Sequence, residues 1–322
     1  MDLRQLFINS AGRLRSGWRL LIFGALFVTI EFLLATAGRL VYAVAVNLAP
    51  GRDLGSFFEN IVFRSLLLLG ALIAGFICTR WLEGLPWRAL GLWFHRRWLR
   101  DMLFGSAVGI VSLALATAIA TAGGGLSFSV SGRGMLLKVV QTLVFSAALF
   151  IVAALAEEAL FRGYPLQTMT RAGLFLVGTL LTSLAFAAIH LGNPNFKQGL
   201  PFLNLILAGV WFAVAYFRTR SLWFPWGLHW AWNWALGSLF GLPVSGITEI
   251  APNPLLRGTD LGPAWLTGGD YGIEGGLAST IALILSTLFI WRTGWVAPTE
   301  EMLKLTSQEN PAQQAQRVPV SN

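Results

Sequence analysis

Eight stretches of the chain stay apolar for close to the ~20 residues that a helix needs to cross a hydrocarbon core. They cover 18–38, 57–79, 103–122, 137–160, 173–191, 200–217, 221–241 and 275–291, each bounded by charge, glycine or proline. The pattern predicts an all-α, polytopic membrane protein of about eight transmembrane helices. The longest stretch between these runs follows Gly241 and leaves no room for a sizeable soluble domain. Residues 1–296 read as the membrane domain. Residues 297–322 are polar and rich in Gln, Glu and Pro, with too little apolar area to fold alone, and are expected to form a disordered cytoplasmic tail.

Charge fixes the expected orientation. With the amino terminus inside and eight spans, the Lys and Arg residues divide 16 against 7 between the two sides, summing to the 23 in the chain. The positive-inside rule then places both termini in the cytoplasm, as expected in a bacterial cytoplasmic membrane. Arg4, Arg13, Arg15 and Arg19 precede or open the first run, which is too long for a signal peptide and reads as an uncleaved anchor. Residues 86–102 alternate Trp87, Trp93 and Trp98 with Arg88, Arg96, Arg97 and Arg100, the pattern of a helix lying in the cytoplasmic interface. His95 within it is expected to be solvated.

Only 12% of the residues are charged, half the usual share of a soluble domain. The +8 net charge therefore marks insertion, and no nucleic-acid partner is expected. Cys78 is the single cysteine, so an internal disulfide is excluded and no Cys/His cluster has structural-zinc spacing.

Ionisable groups at membrane depth cost at least ~2.5 kcal/mol each and are usually functional. Three short motifs hold them. Glu157 and Glu158 end the fourth run, and Arg162 shares a helix face with Glu158 four residues on. Glu157 points about 100° away, so one carboxylate is neutralised by arginine while the other is left to act as a base. His190 ends the fifth run. His229 and Asn233, again four apart, lie inside the seventh. Singly, the Glu/Arg pair also reads as a solvated helix end, and each histidine as a structural residue. By the helical rise, Glu157, His190, His229 and Asn233 lie roughly 21, 25, 12 and 18 Å from the cytoplasmic side, all within a core about 30 Å thick. Convergence in one helix-lined cavity requires the fourth helix to continue through Gly163 and Pro165, where a kink is expected.

Such a set supports hydrolysis. Glu157, assisted by His190, can take a proton from water attacking a peptide carbonyl, and His229 with the Asn233 amide can donate to the oxyanion. A divalent metal such as zinc on Glu157, His190 and His229 is the other version of this site, and the residues alone leave both open. A proton relay or transporter is a further class for the same residues.

EEALFR, FAAIH and HWAWN resemble, in order and spacing, the E-E-x-x-x-R, F-x-x-x-H and H-x-x-x-N/D motifs of the CPBP family of intramembrane proteases, related to the CAAX prenyl endopeptidases and to bacteriocin-processing proteins. The resemblance covers about 137–246. It implies an eight-helix protease with Glu157 as the water-activating base, Glu158 its neighbour, Arg162 in support, His190 a second water contact, and His229 with Asn233 on the oxyanion side. The implied partners are the bilayer and a membrane protein or lipidated peptide as substrate.

Overall fold

The computed structural model describes residues 4–9, 12–48, 55–132 and 134–307. Its principal helices are α1 (Ser16–Leu48), α2 (Gly55–Ile77), α3 (Trp98–Ala122), α4 (Leu136–Glu158), α5 (Tyr164–Arg171), α6 (Phe175–Ile189), α7 (Leu200–Thr219), α8 (Trp223–Trp234), α9 (Leu277–Arg292) and α10 (Glu300–Thr306). Five spans are long and apolar enough to cross a membrane: Ser16–Ala45, Phe58–Leu82, Trp98–Ala122, Leu136–Arg171 and Leu200–Thr219. The protein is thus an all-α polytopic membrane protein, but the eight expected runs are not equivalent. α6 and α9 have 15 and 16 residues. The run at 221–241 becomes the 12-residue α8 followed by a π-turn over Ala235–Leu239. Short or broken elements survive at membrane depth where protein surrounds them, and α8 is of this kind, with Leu228 and Ala231 wholly buried. By contrast, α1 exposes Leu21, Val28, Phe32 and Leu40, as a lipid-facing helix must.

Glycine sets how closely α8 is held. A Cβ on Gly105 or Gly109 of α3 would collide with the carbonyl oxygen of Phe224 or Leu228, and one on Gly227 with that of Met102. The backbones of α3 and α8 therefore touch, as small residues allow at membrane helix interfaces. This contact fixes the helix that bears the third motif.

Basic residues gather at the end of the bundle where α1, α3 and α8 begin. Arg19 is fully buried and its Nη1 lies 2.9 Å from Glu83 Oε1 and 3.1 Å from Thr168 Oγ1. Arg171 pairs with the same carboxylate, to which Thr168 also donates. α1, the turn that follows α2, and α5 are joined through one buried anion. Burial alone would raise the Glu83 carboxyl, but Arg171, Thr168 and Arg19 outweigh it and hold it below its ordinary value.

Two expectations for this end are corrected. Residues 86–102 do not form one interfacial helix: a 3₁₀ turn over Trp87–Leu90 ends at Gly91 in the left-handed region, and α3 starts only at Trp98. Pro86 and Gly91 break the helix that the Trp/Arg pattern suggested. His95 is not solvated; it is 1% exposed, with Nε2 3.1 Å from Ser221 Oγ, and burial pushes its ring below the usual imidazole value. The tail is ordered in part. α10 buries Met302 and Thr306, with Thr299 Oγ1 accepting from the Met302 N–H at 3.2 Å as its N-cap. The remainder, 308–322, lies outside the described residues.

At the opposite end, β1 (Leu126–Val130) pairs antiparallel with β2 (Leu256–Asp260), Leu126 facing Asp260 and Val130 facing Leu256. The pairing anchors the long segment after Gly241 across this end.

Gly109→Leu is expected to force α3 and α8 apart and to cost about 1–3 kcal/mol by overpacking, read as a lower unfolding temperature in detergent. Glu83→Gln is expected to cost about 3–5 kcal/mol at neutral pH, since two buried guanidinium groups lose their shared counter-charge. Because the native carboxyl titrates below its ordinary 4.5, its contribution is complete above that pH and is lost as pH falls through the lower native value. The acid limb of the stability curve should flatten in the variant.

Candidate active site

The fourth helix does continue past the motif, by way of a π-turn over Ala159–Gly163 that leads into α5. Pro165, which has no N–H to donate, is placed in the first turn of α5, where a missing donor costs least. Such single π-turns within helices recur at functional sites.

Behind the site lies a charged chain without water access. Arg162 is fully buried, and its Nη1 donates to Glu158 Oε1 at 3.2 Å while Nη2 donates to the Gly209 carbonyl at 3.1 Å. The guanidinium stands 4.8 Å from the ring centre of Phe186, 5.0 Å from Phe212 and 5.7 Å from Phe161. A desolvated cation over aromatic faces gains ~2 kcal/mol or more. Gly209 matters to this packing, because a Cβ there would strike Ser183 and separate α7 from α6. Glu158 Oε1 also accepts from His229 Nδ1 at 2.9 Å, and Phe212 stacks on the His229 ring at 4.4 Å between centres.

Glu157 faces the other way. Its Oε2 lies 4.0 Å from His190 Nε2 and 3.8 Å from His229 Nε2. His190 Nδ1 donates to the Phe186 carbonyl at 2.7 Å, since a carbonyl can only accept. Each imidazole thus has Nδ1 engaged elsewhere and turns Nε2 toward the same carboxylate oxygen. Asn233, one helical turn after His229, lines the same cavity of about 740 Å³. The three motifs are thus brought to one place, with Glu157, His190, His229 and Asn233 at the cavity wall and Glu158 and Arg162 behind it.

Two residues at the site escaped the sequence reading. Arg64, counted there as a topological charge, reaches Glu157 Oε1 with Nη1 at 3.6 Å and lines the cavity; its position inside an apolar run was the available signal. Glu274 accepts from Trp232 Nε1 at 2.9 Å and from the Ser245 backbone N–H at 2.5 Å, holding the folded-back segment against the third motif. Nothing in its local sequence marks that role, which depends on the fold-back itself.

Among the described residues, no group of three or more His, Cys, Asp and Glu is placed to hold a metal ion.

Residues 139–235 match a family model described as Type II CAAX prenyl endopeptidase Rce1-like. The middle third of the chain is thus similar to the CAAX proteases. The match includes every motif residue from Glu157 to Asn233, and the family is one of membrane-embedded peptidases. No curated protein and no solved structure matches the chain.

Arg64 lies outside the matched segment and its side chain is 40% exposed. Arg64→Ala is expected to lower peptidase kcat/KM about two- to five-fold, in line with a half-exposed ion pair worth up to ~1 kcal/mol. Arg64→Lys should recover most of the loss at unchanged unfolding temperature, and full activity in Arg64→Ala would reduce Arg64 to a solvated wall residue.

Proposed function

We propose that this protein is an intramembrane endopeptidase that hydrolyses a peptide bond of a membrane-associated polypeptide, using water activated by Glu157. The protease core is about 137–246, within a membrane domain of 1–296. The observation that carries the reading is the pair of Nε2 atoms facing Glu157 Oε2 at 3.8 and 4.0 Å. Those gaps are too long for direct hydrogen bonds and suit a water at about 2.8 Å from its partners.

In this reading the water donates one hydrogen to Glu157 and the other to His190 Nε2, which is an acceptor because Nδ1 bears the ring proton. Its free lone pair then meets the substrate carbonyl. As the carbon–oxygen bond forms, the proton passes to Glu157. The tetrahedral oxyanion accepts from the Asn233 amide and from His229 Nε2–H, the ring being doubly protonated and accompanied by Glu158 at Nδ1. A carboxylate behind an imidazole keeps its orientation and offsets the charge it gains. Glu157 finally gives its proton to the leaving amine as the carbon–nitrogen bond breaks. Arg162 serves as a positioning residue that fixes Glu158 and stays away from substrate.

Glu157→Gln should reduce kcat about 10²–10⁴-fold and Asn233→Ala about 10²–10³-fold, each with KM little changed and the fold intact. Activity should persist in excess chelator. A fully active Glu157→Gln variant would overturn the mechanism, whereas loss on chelation with recovery on adding zinc would favour the metal-bound version.

A further inference from the structure

The outer face of α8 is made of tryptophan. Along Trp223–Trp234 every residue is buried except Trp226, Trp230, Asn233 and Trp234. Asn233 lines the cavity, so the outer face shows three indoles at spacings of four residues, the recurrence that keeps side chains on one side of a helix. α8 lies between α3 and α4, and the indoles are tied to both. Trp226 Nε1 donates to the Ile151 carbonyl at 2.9 Å and Trp234 Nε1 to the Leu143 carbonyl at 3.0 Å, both on α4, while Trp230 Nε1 donates to Ser106 Oγ on α3 at 3.0 Å. Each ring spends its one polar atom inside the protein. What it leaves facing outward, on the floor of a groove between α3 and α4, is hydrocarbon.

The groove has a cationic end. Toward the start of α8 the aromatic series continues through Trp223, whose ring centre lies 5.1 Å from Trp226, 4.7 Å from Trp98 and 5.1 Å from Phe94. Phe94 is exposed, and exposed Arg96 and Arg97 follow it. Asp101 is turned to His95, with Oδ2 3.7 Å from Nε2, and one carboxylate against two guanidinium groups leaves this end positive. From Trp223 to Trp234 the series runs about 16 Å at the helical rise, close to half of a ~30 Å hydrocarbon core. That is the depth of one leaflet. An interfacial aromatic belt stops at headgroup level, whereas this series follows a chain inward.

We propose that the groove binds an anionic phospholipid, with one acyl chain along Trp226, Trp230 and Trp234 and the phosphate at Arg96 and Arg97. An apolar floor with a cationic end matches an amphiphile with a negative headgroup. A second copy of the chain fits poorly, because two-fold pairing through this face would set Arg96 and Arg97 against the same residues of the other copy, and like charges so placed repel. None of the three indoles lines the cavity, so the proposal stands apart from the peptidase reading.

The test uses the full chain in detergent with a phosphatidylglycerol that carries a diazirine midway along one acyl chain, followed by mass-spectrometric mapping of the labelled residues. Label is expected on 226–234, displaced by unlabelled phosphatidylglycerol and not by phosphatidylcholine with the same chains. Arg96→Gln and Arg97→Gln, both at exposed positions, should each weaken it about five-fold, the share of one basic residue in attraction to an anionic surface, at unchanged unfolding temperature. Equal displacement by the two lipids would overturn the proposal, as would label on the exposed Leu21, Val28 and Phe32 of α1 at the level found on 226–234, since either result reduces the groove to ordinary lipid contact. A dimer that forms through 226–234 and takes up no probe would overturn it as well.

Discussion

The site depends on one buried electrostatic chain, in which Arg162 meets Glu158 and Glu158 meets His229. Two adjacent carboxylates at membrane depth are costly unless something answers their charge. Arg162 answers it from within a ring of Phe161, Phe186 and Phe212, a setting that keeps water from the guanidinium. Removing Arg162 or Glu158 would leave an uncompensated charge in low dielectric, where the penalty is several kcal/mol. The chain also joins three separate helices, because Arg162 follows α4, its second nitrogen is held by Gly209 of α7, and His229 stands on α8.

That linkage divides the work between the two glutamates. Glu158 is spent on structure and on the orientation of His229. Glu157, one residue earlier and about a quarter turn around the helix, is left facing the cavity with two imidazole nitrogens and Arg64 around it. The same division appears in the histidines, whose Nδ1 atoms serve a carboxylate or a carbonyl while their Nε2 atoms face inward. The tautomer of His190 and the ring orientation of His229 follow from these second partners, and the geometry is therefore set by groups away from the cavity.

The two ends of the bundle are built by different means. At the basic end, Glu83 gathers Arg19 and Arg171, and Arg218 holds the carbonyls of Thr293 and Val296 at 2.6 and 2.7 Å. Dense ion pairing and backbone capture make this end a closed plate. At the other end a two-stranded pairing and the contacts of Glu274 hold a long loop around an open mouth. A deep cavity with one closed and one open end results, and the residues of the three motifs lie against its closed end.

Much of the site was legible in the sequence. Spacings of four residues put Glu158 with Arg162 and His229 with Asn233 because helical periodicity is local, and hydropathy gave an all-helical membrane class because the cost of exposing backbone to lipid is also local. The residues that escaped are those whose partners are remote in sequence. Arg64 meets Glu157 only when α2 lies beside α4, His95 is buried against Ser221, 126 residues further on, and Glu274 acts only after the chain has turned back on itself. The expected interfacial helix failed at Pro86 and Gly91, where backbone geometry overrode a favourable charge pattern. The number of full spans was likewise a tertiary matter, since α8 can be short only where other helices replace lipid around it. Sequence by itself determined which residues could carry the chemistry; the tertiary structure decided which oxygen of which glutamate the two histidines face, because that depends on close backbone approach at glycines and on charges satisfied across helices.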